Sequence, residues 1–400
     1  MKRLYRYLPP FAGDYSGVCS ALYELGGMLC IHDASGCTGN YTGFDEPRSY
    51  GSKTLIYCTA LRKTDAILGN EEVYIEKILK AAEEMKPRFI ALVGSPVPMV
   101  IGFDFHGVAR EIEKRSGIPT FGFATSGMQG SYKEGIVMAV NKFLEYYVPP
   151  IKTPQEKKDR TVPKVNIVGA TPLDISEENL SALKNLVKEK GYEIVSVMSM
   201  GTSLEEMKEA PKADINLAVS QAGLLIAMEM CEKYKIPYLA GLPIGEEGSR
   251  HYFNCLEKVW ESGQSLEVSM VPVTGKQTEK GRKAVIVEDG VIASSIRVEL
   301  LSQGYDRVDV VSLFGKDKGM AMVEAEYPAG EEEILEAVNR EDCDLVVADP
   351  ILLQQRQNKE NIILLELPKY SISSKLMHQR RWEYIGNAWD EKVSSVTDKQ

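Results

Sequence analysis

The residues best equipped for chemistry are concentrated in 13–37, GDYSGVCSALYELGGMLCIHDASGC. Cys19 stands at the start of a segment that reads as a helix, and Cys37 stands in a Gly/Ser loop just after the apolar run 28–31. The chain reverses between them, so both thiols return to one end of the same unit. Thiolates gathered beside small residues, which let backbone approach closely, suit an iron–sulfur cluster better than a disulfide or a zinc site. Two cysteines cannot fill a cubane, so such a cluster takes further ligands from elsewhere.

His32 closes the apolar run. It reads as a donor beside the cluster, as a proton donor in a cleft, or as a strand-end histidine bonded to backbone. Arg48, in DEPRSYGS, can neutralise an anionic group or bind an acidic substrate, the alternative being a surface ion pair with Glu46 or Asp45. Cys30 and Cys58 lie inside strand-like apolar runs and Cys231 on an amphipathic helix, so all three read as core. Cys255 and Cys343 have no ligand-like neighbours, and no CxxC spacing suggests zinc. His106 and His251 stand alone, at helix starts or on the surface. No Ser/His/Asp set, P-loop or paired-carboxylate motif stands out, so chemistry here would be redox.

These side chains need a scaffold, and its pattern is legible. Strand-like runs at 54–60, 88–94 and 118–123 alternate with helical patterns at 71–85, 105–115 and 132–147. Such runs are too continuous for one-sided burial and indicate a parallel sheet covered on both faces. The stretch 148–163, VPPIKTPQEKKDRTVP, is rich in proline and charge and reads as a solvated linker. The alternation restarts at 164–170 (KVNIVGA) and again at 283–288 (KAVIVE). The expected fold is α/β, with three doubly wound Rossmann-like domains and mainly parallel sheets: 1–150 carrying the cysteines, a linker 151–163, 164–280, and 281–400 with a C-terminal tail. VGATP and VEDG occupy the first turns of the later units but lack GxGxxG, which argues against a dinucleotide.

Composition narrows the partners. A formal net charge of -10 disfavours a phosphate backbone, so nucleic acid is not expected. The absence of a long apolar run argues against a membrane span and for the cytoplasm. Seven cysteines, an odd number, point to free thiols or metal ligands rather than a disulfide framework.

The motifs reach a family. HDASGC at 32–37 looks like an H-G-x-x-G-C segment, TALRKTDAILG at 59–69 like a stretch ending V-F-G-G, and 86–104 like a K-P-x-x-I strand leading to V-I-G-D-D. The stretch 216–245 follows an N-L-x-x-S … E-K-Y-x-I-P-Y … P-I-G pattern. With these features the chain resembles nitrogenase component 1. That superfamily includes the molybdenum–iron protein subunits, cofactor-assembly scaffolds, dark-operative protochlorophyllide reductase subunits and a nickel-tetrapyrrole reductase.

The resemblance places Cys19 and Cys37 at the first and second cluster-ligand positions, with His32 and Arg48 nearby. The third family cysteine, just before V-I-G, is absent; its place falls at about Pro96. The thiolate that anchors the molybdenum cofactor in catalytic nitrogenase is replaced by Ser220, which removes dinitrogen as the expected substrate. His378, in an M-H segment upstream of Tyr384 and Gly386, is similar to the family's cofactor histidine.

The implied protein is an iron–sulfur oxidoreductase component. It would take low-potential electrons from an ATP-dependent iron protein and share one 4Fe–4S cluster between the two chains of a homodimer, or pair with a related subunit as a heterodimer. The alternatives are a metallocofactor-assembly scaffold and a cluster-free small-molecule binding protein.

Overall fold

The computed structural model describes residues 6–49, 54–149, 162–273, 281–321, 325–358 and 362–397. Fourteen strands form three wholly parallel sheets among these residues. The first holds β1 (Met28–His32), β2 (Leu55–Cys58), β3 (Ile90–Gly94) and β4 (Thr120–Phe123) in the order 2-1-3-4. The second holds β5 (Lys164–Val168), β6 (Glu193–Val197), β7 (Ile215–Ala218), β8 (Tyr238–Ala240) and β9 (Leu266–Glu267) in the order 6-5-7-8-9. The third holds β10 (Lys283–Glu288), β11 (Arg307–Ser312), β12 (Ala325–Glu326), β13 (Leu345–Ala348) and β14 (Ile363–Glu366) in the order 12-11-10-13-14.

One plan is used three times. The opening strand of each unit lies inside its sheet, the second pairs on one side and a later strand (β3, β7 or β13) on the other. This creates a topological switch point beside β1, β5 and β10, and ligands of open α/β sheets bind at the carboxyl ends of strands there. At each switch point a helix follows a polar residue: Ser220 after β7 and Asp349 after β13 cap their helices through the side chain, whereas Ser95 after β3 holds the N-cap position without a side-chain cap bond.

The local chemistry explains the elements. Every residue of β1 and β3 is buried, as expected for strands covered on both faces, whereas the edge strand β2 is half-exposed throughout. The Glu71–Met85 helix buries Tyr74, Ile75, Ile78, Ala81 and Ala82, one face at helical spacing. A Ser131/Glu134 capping box opens the Tyr132–Tyr147 helix. That helix crosses the Asp14–Leu22 helix where a Cβ on Gly17 would lie 1.9 Å from the Tyr132 carbonyl, so only glycine permits the contact.

Several features depart from expectation. The first helix begins at Asp14, placing Cys19 in its second half rather than at its start. Cys37 lies in a short Gly36–Asn40 helix rather than a loop, and a π-helical turn follows at Tyr41–Asp45. The C-terminal tail is structured. Ile385 and Gly386 bridge to Ile244, and the Ala388–Thr397 helix buries Trp389 completely. Most of the expected linker, 151–161, lies outside the described residues.

Candidate functional site

The carboxyl edge of the first sheet gathers the side chains with chemical potential. β1 ends at His32, β2 at Cys58 and β3 at Gly94, followed by Ser95. Because the strands are parallel, all three ends open on the same side. The Ser95 hydroxyl donates to the His32 carbonyl at 2.7 Å, joining the two central strands there.

Asp33 organises the turn that carries Cys37. Its carboxylate accepts from Ser35 N at 2.9 Å, Thr38 N at 2.9 Å and the Thr38 hydroxyl at 2.8 Å, and from the Cys58 thiol at 3.1 Å. These bonds hold Ser35 at φ 101°, a left-handed conformation unusual for a residue with a Cβ. Burial pushes the Asp33 carboxyl up, but bonds from Cys58, Thr38 and Ser35 outweigh it and hold Asp33 below the usual carboxylate range. The Cys37 thiol is half-buried beside Ser95; burial and the Asp33 charge push its pKa up, and Ser95 partly offsets them. Burial also raises the Cys58 thiol, with Asp33 adding to the shift and a bond to Thr38 opposing it.

Cys19 sits elsewhere. All nine residues of its helix are buried, the thiol is packed in the main apolar core at 0% exposure, and burial with the nearby Glu46 raises its pKa strongly. All seven cysteines are free thiols. Cys58 and Cys231, expected in the core, are only partly buried. Cys58 ends an edge strand, and the Cys231 thiol meets the Ser265 hydroxyl. Among the described residues no three His, Cys, Asp or Glu side chains stand together as a metal site.

His32 is buried between aromatic rings, 4.3 Å from Tyr74 and 4.6 Å from Phe103 between centroids. Its Nδ1 bonds the Thr59 hydroxyl at 2.7 Å, a side chain rather than backbone. Burial lowers its pKa to about 4, so the imidazole is neutral near pH 7. It lines a pocket with Thr59, Tyr74, Lys77, Ile101 and Phe103.

Arg48 is committed to the fold. Its guanidinium grips Glu46 through Nε and Nη2 at 2.7 Å each, reaches Glu24 at 2.8 Å and the Ser20 carbonyl at 2.9 Å, and lies over the Tyr23 ring. With its donors engaged in this way, Arg48 pins the chain after the cysteine turn to the first helix. The ion pair with Glu46 is a mostly buried one, not the surface pair weighed from sequence.

His378 is exposed on the Ser374–Arg380 3-10 helix, edge-on to Tyr370, and burial with Arg381 lowers its pKa. Its helix touches the turn after Cys37, where Lys375 lies 4.2 Å from the Phe44 ring centre, but His378 does not join the Cys37 edge. Ser220 is fully buried and caps its helix, accepting from Gly223 N and donating to the Gly169 carbonyl. His106 follows the start of its helix; His251 lies within one, its Nε2 bonded to the Val268 carbonyl.

Sequence reading missed the junction of the three units. Lys369 Nζ lies 2.8 Å from Glu288 and 3.1 Å from Asp174, while Tyr132 donates to Asp174. All four are almost completely buried apart from modest exposure of the Asp174 backbone. Burial raises the Asp174 pKa to about 6 and pushes Glu288 up, while the two carboxylates overcome burial to raise Lys369. Only the recurrence of buried-strand patterns ending in charged residues, as in KAVIVED, hinted at it.

Comparison with known proteins decides the family. The description "Nitrogenase component 1 type Oxidoreductase" matches residues 14–363. The chain belongs to the nitrogenase component 1 family. It is 26% identical over 247 residues to the nitrogenase molybdenum-iron protein alpha chain of Methanosarcina barkeri, a match covering 60% of this chain and 45% of that one. The cofactor biosynthesis protein NifE of Clostridium pasteurianum is 24% identical over 313 residues, covering 74% and 66%. The light-independent protochlorophyllide reductase of Leptolyngbya boryana contains a chain that is 23% identical over 256 residues, covering 57% and 49%. The matches thus span about half to two thirds of these relatives. Among solved structures, "Nitrogenase Cp1 at pH 5" superposes with a TM-score of 0.69 at 17% identity, covering 99% of this chain and 89% of that one. This shows the shared component 1 fold. No helix among the described residues is long and apolar enough to cross a membrane.

The donor set bears on the cluster that the family implies. Cys37 lies on an accessible edge and fits a thiolate ligand, whereas Cys19, enclosed in the core, does not reach that edge. The pair read from sequence is therefore not gathered at one surface.

Proposed function

We infer that this component 1 chain is the electron-accepting subunit of a two-component reductive enzyme, with an iron–sulfur cluster held at a subunit interface on the Cys37 edge. The observation that carries the reading is a half-exposed cysteine in the family's ligand segment, on a turn locked by Asp33 at the switch point of a parallel sheet. When bound, the cluster would supply one-electron chemistry at low potential. Asp33 and Thr38 fix the turn, and Ser95 sets the polarity beside the thiol. Exposed Val97, Val100 and Ile101, with Ile67 and Leu68, provide apolar surface for another chain around this edge.

The substrate is something other than dinitrogen, because Ser220 stands in the cofactor-thiolate position and is bound up as a helix cap. The pocket under His32 has a volume of about 20 Å³, room for little more than a water, and is too small to be the place for it. The electron donor is an ATP-dependent iron protein. A role as a metallocofactor-assembly scaffold is the second reading, supported by the match to NifE over most of this chain.

The test is anaerobic purification, quantification of iron and sulfide, and mixing with a reduced iron protein and ATP. Bound cluster that becomes reduced under these conditions is expected. Cluster that is passed to another protein without electron uptake would favour the scaffold, and protein with no iron after reconstitution would defeat both readings.

A further inference from the structure

We propose that Glu299 and Asp390 form a proton-operated clasp that holds the Ala388–Thr397 helix, and with it one wall of a surface cleft, against the joint between the second and third units.

Three elements meet at this point. Glu299 lies on the Gly290–Ser302 helix of the third unit and Asp390 in the first turn of the Ala388–Thr397 helix, and both reach the N-terminus of the Glu246–Ser262 helix of the second unit. Glu299 Oε2 accepts from Gly248 N, and Asp390 Oδ2 accepts from Glu246 N at 2.8 Å. The Gln303 amide spans the two acids, donating to Glu299 Oε1 at 2.6 Å and to Asp390 Oδ1 at 2.8 Å. The approach is close: a Cβ on Gly245 would lie 2.2 Å from the Glu299 carboxyl carbon, so glycine there is what lets the acid reach the helix end.

The surrounding charges are already engaged. The Glu246–Ser262 helix presents Glu246, Glu247 and Arg250 at this end, and Arg250 is bound to both glutamates. On the Ala388–Thr397 helix Glu391 is exposed and Lys392 lies over the Trp382 ring. The Arg307–Ser312 strand packed on the Glu299 helix carries Arg307 and Asp309, which pair with each other. Two carboxyl groups, with Glu299 only 1% exposed, therefore face each other across one amide, and ionising both is costly. Burial, the Asp390 charge and a bond to Asp390 outweigh bonds from Gly248 and Gln303 and raise the Glu299 pKa to about 7. Protonated Glu299 donates to Asp390 and draws the helices together; ionised Glu299 repels it.

The clasped helix shapes a cavity. Trp389, beside Asp390, is fully buried, and the chain leading to it is stitched to the second unit: Gly386 N donates to the Pro243 carbonyl at 2.7 Å and Gly245 N to the Gly386 carbonyl at 3.0 Å. Ile385, Gly386 and Asn387 form one side of a cleft of about 540 Å³ that Leu186 and Phe253 also line. That volume is ligand-sized, unlike the pocket under His32. Release of the helix moves this wall, so acidity sets the shape of the cleft.

When the helix detaches, Glu299 returns to the ordinary value of 4.5. The closed form therefore holds an extra proton between about 4.5 and 7; its advantage is full below that window and lost as pH rises through it. Hydrogen exchange of the full chain by mass spectrometry from about pH 5 to 8, expressed as protection relative to the unstructured rate at each pH, tests this on wild type, Glu299→Gln and Asp390→Asn. In wild type, protection of 388–397 is expected to fall by up to about tenfold per pH unit and to level off above about 7. Glu299→Gln keeps the hydrogen bonds without a titrating proton, so its profile is expected to be flat. Asp390→Asn removes the opposing charge and is expected to move the levelling point to lower pH. A wild-type profile without the fall, or a Glu299→Gln profile with the wild-type slope, would overturn the proposal. Should Glu299→Gln fail to fold, Asp390→Asn decides: a lowered levelling point sustains the clasp, and an unchanged one overturns it.

Discussion

The His32 imidazole is neutral because burial among Tyr74, Phe103 and Phe105 makes its charged form costly, and that has a measurable sign. An unfolded-chain histidine takes a proton at about 6.5, whereas His32 in the fold does so at about 4. Between these values the unfolded state holds the extra proton, so stability falls as pH drops from 6.5 toward 4, by up to about 1.4 kcal/mol per pH unit. Urea titrations of wild type and His32→Gln across that window are expected to show the slope reduced in the variant. An equal slope in both would assign the acid sensitivity to other groups. Whether His32 lined a cleft was open in the sequence because its setting depends on Tyr74 and Phe103, which arrive from distant elements. Arg48 shows the same limit more sharply: Glu46 was legible as a neighbour, but Glu24 and the Ser20 carbonyl meet it only once the first helix docks.

Apolar runs of strand length made most strands readable, and helices with a clear apolar face, such as Glu71–Met85, emerged at their full extent. What escaped had weak local signal. The first helix starts from Gly13 with no side-chain cap bond, so nothing in the sequence marked Asp14 as its first turn or placed Cys19 deep within it. The two-residue edge strands β9 and β12 are too short to show periodicity. Cys58 read as core because its run is apolar, and position at the edge of a sheet is a property of topology. Capping gives a testable counterpart at Ser220, whose hydroxyl serves Gly223 N and the Gly169 carbonyl. Ser220→Cys, which restores the residue type of the family's cofactor anchor, is expected to lower stability by about 1 kcal/mol because a thiol caps poorly, without conferring molybdenum-cofactor binding. Denaturation and metal analysis check both halves; stoichiometric cofactor uptake would show that the site is preformed.

At the scale of the whole molecule, three α/β units are joined through buried charge, with Tyr132, Asp174, and the Glu288–Lys369 pair contributed by different units. Lys369→Met would leave two carboxylates without their cation, and a loss of roughly 3–5 kcal/mol is expected at neutral pH. The loss should shrink on acidification as those carboxylates take up protons, and chemical denaturation at two pH values measures it. The same accounting of partners bears on the proposed assembly. With the proposed cluster on the Cys37 edge, one chain would offer fewer thiolates than the four a cubane ordinarily takes, so a self-complementary two-fold interface through that edge would complete the set from identical chains. A homodimer with about four irons per two chains is expected, and chelation of the iron should raise the dimer dissociation constant, because ligand bound only by the assembled form stabilises it by mass action. Light scattering with iron quantification on anaerobic protein checks this. A monomer, four irons on every chain, or a cluster that appears only with a related second subunit would each rule out the shared homodimeric site, the last in favour of a heterodimer.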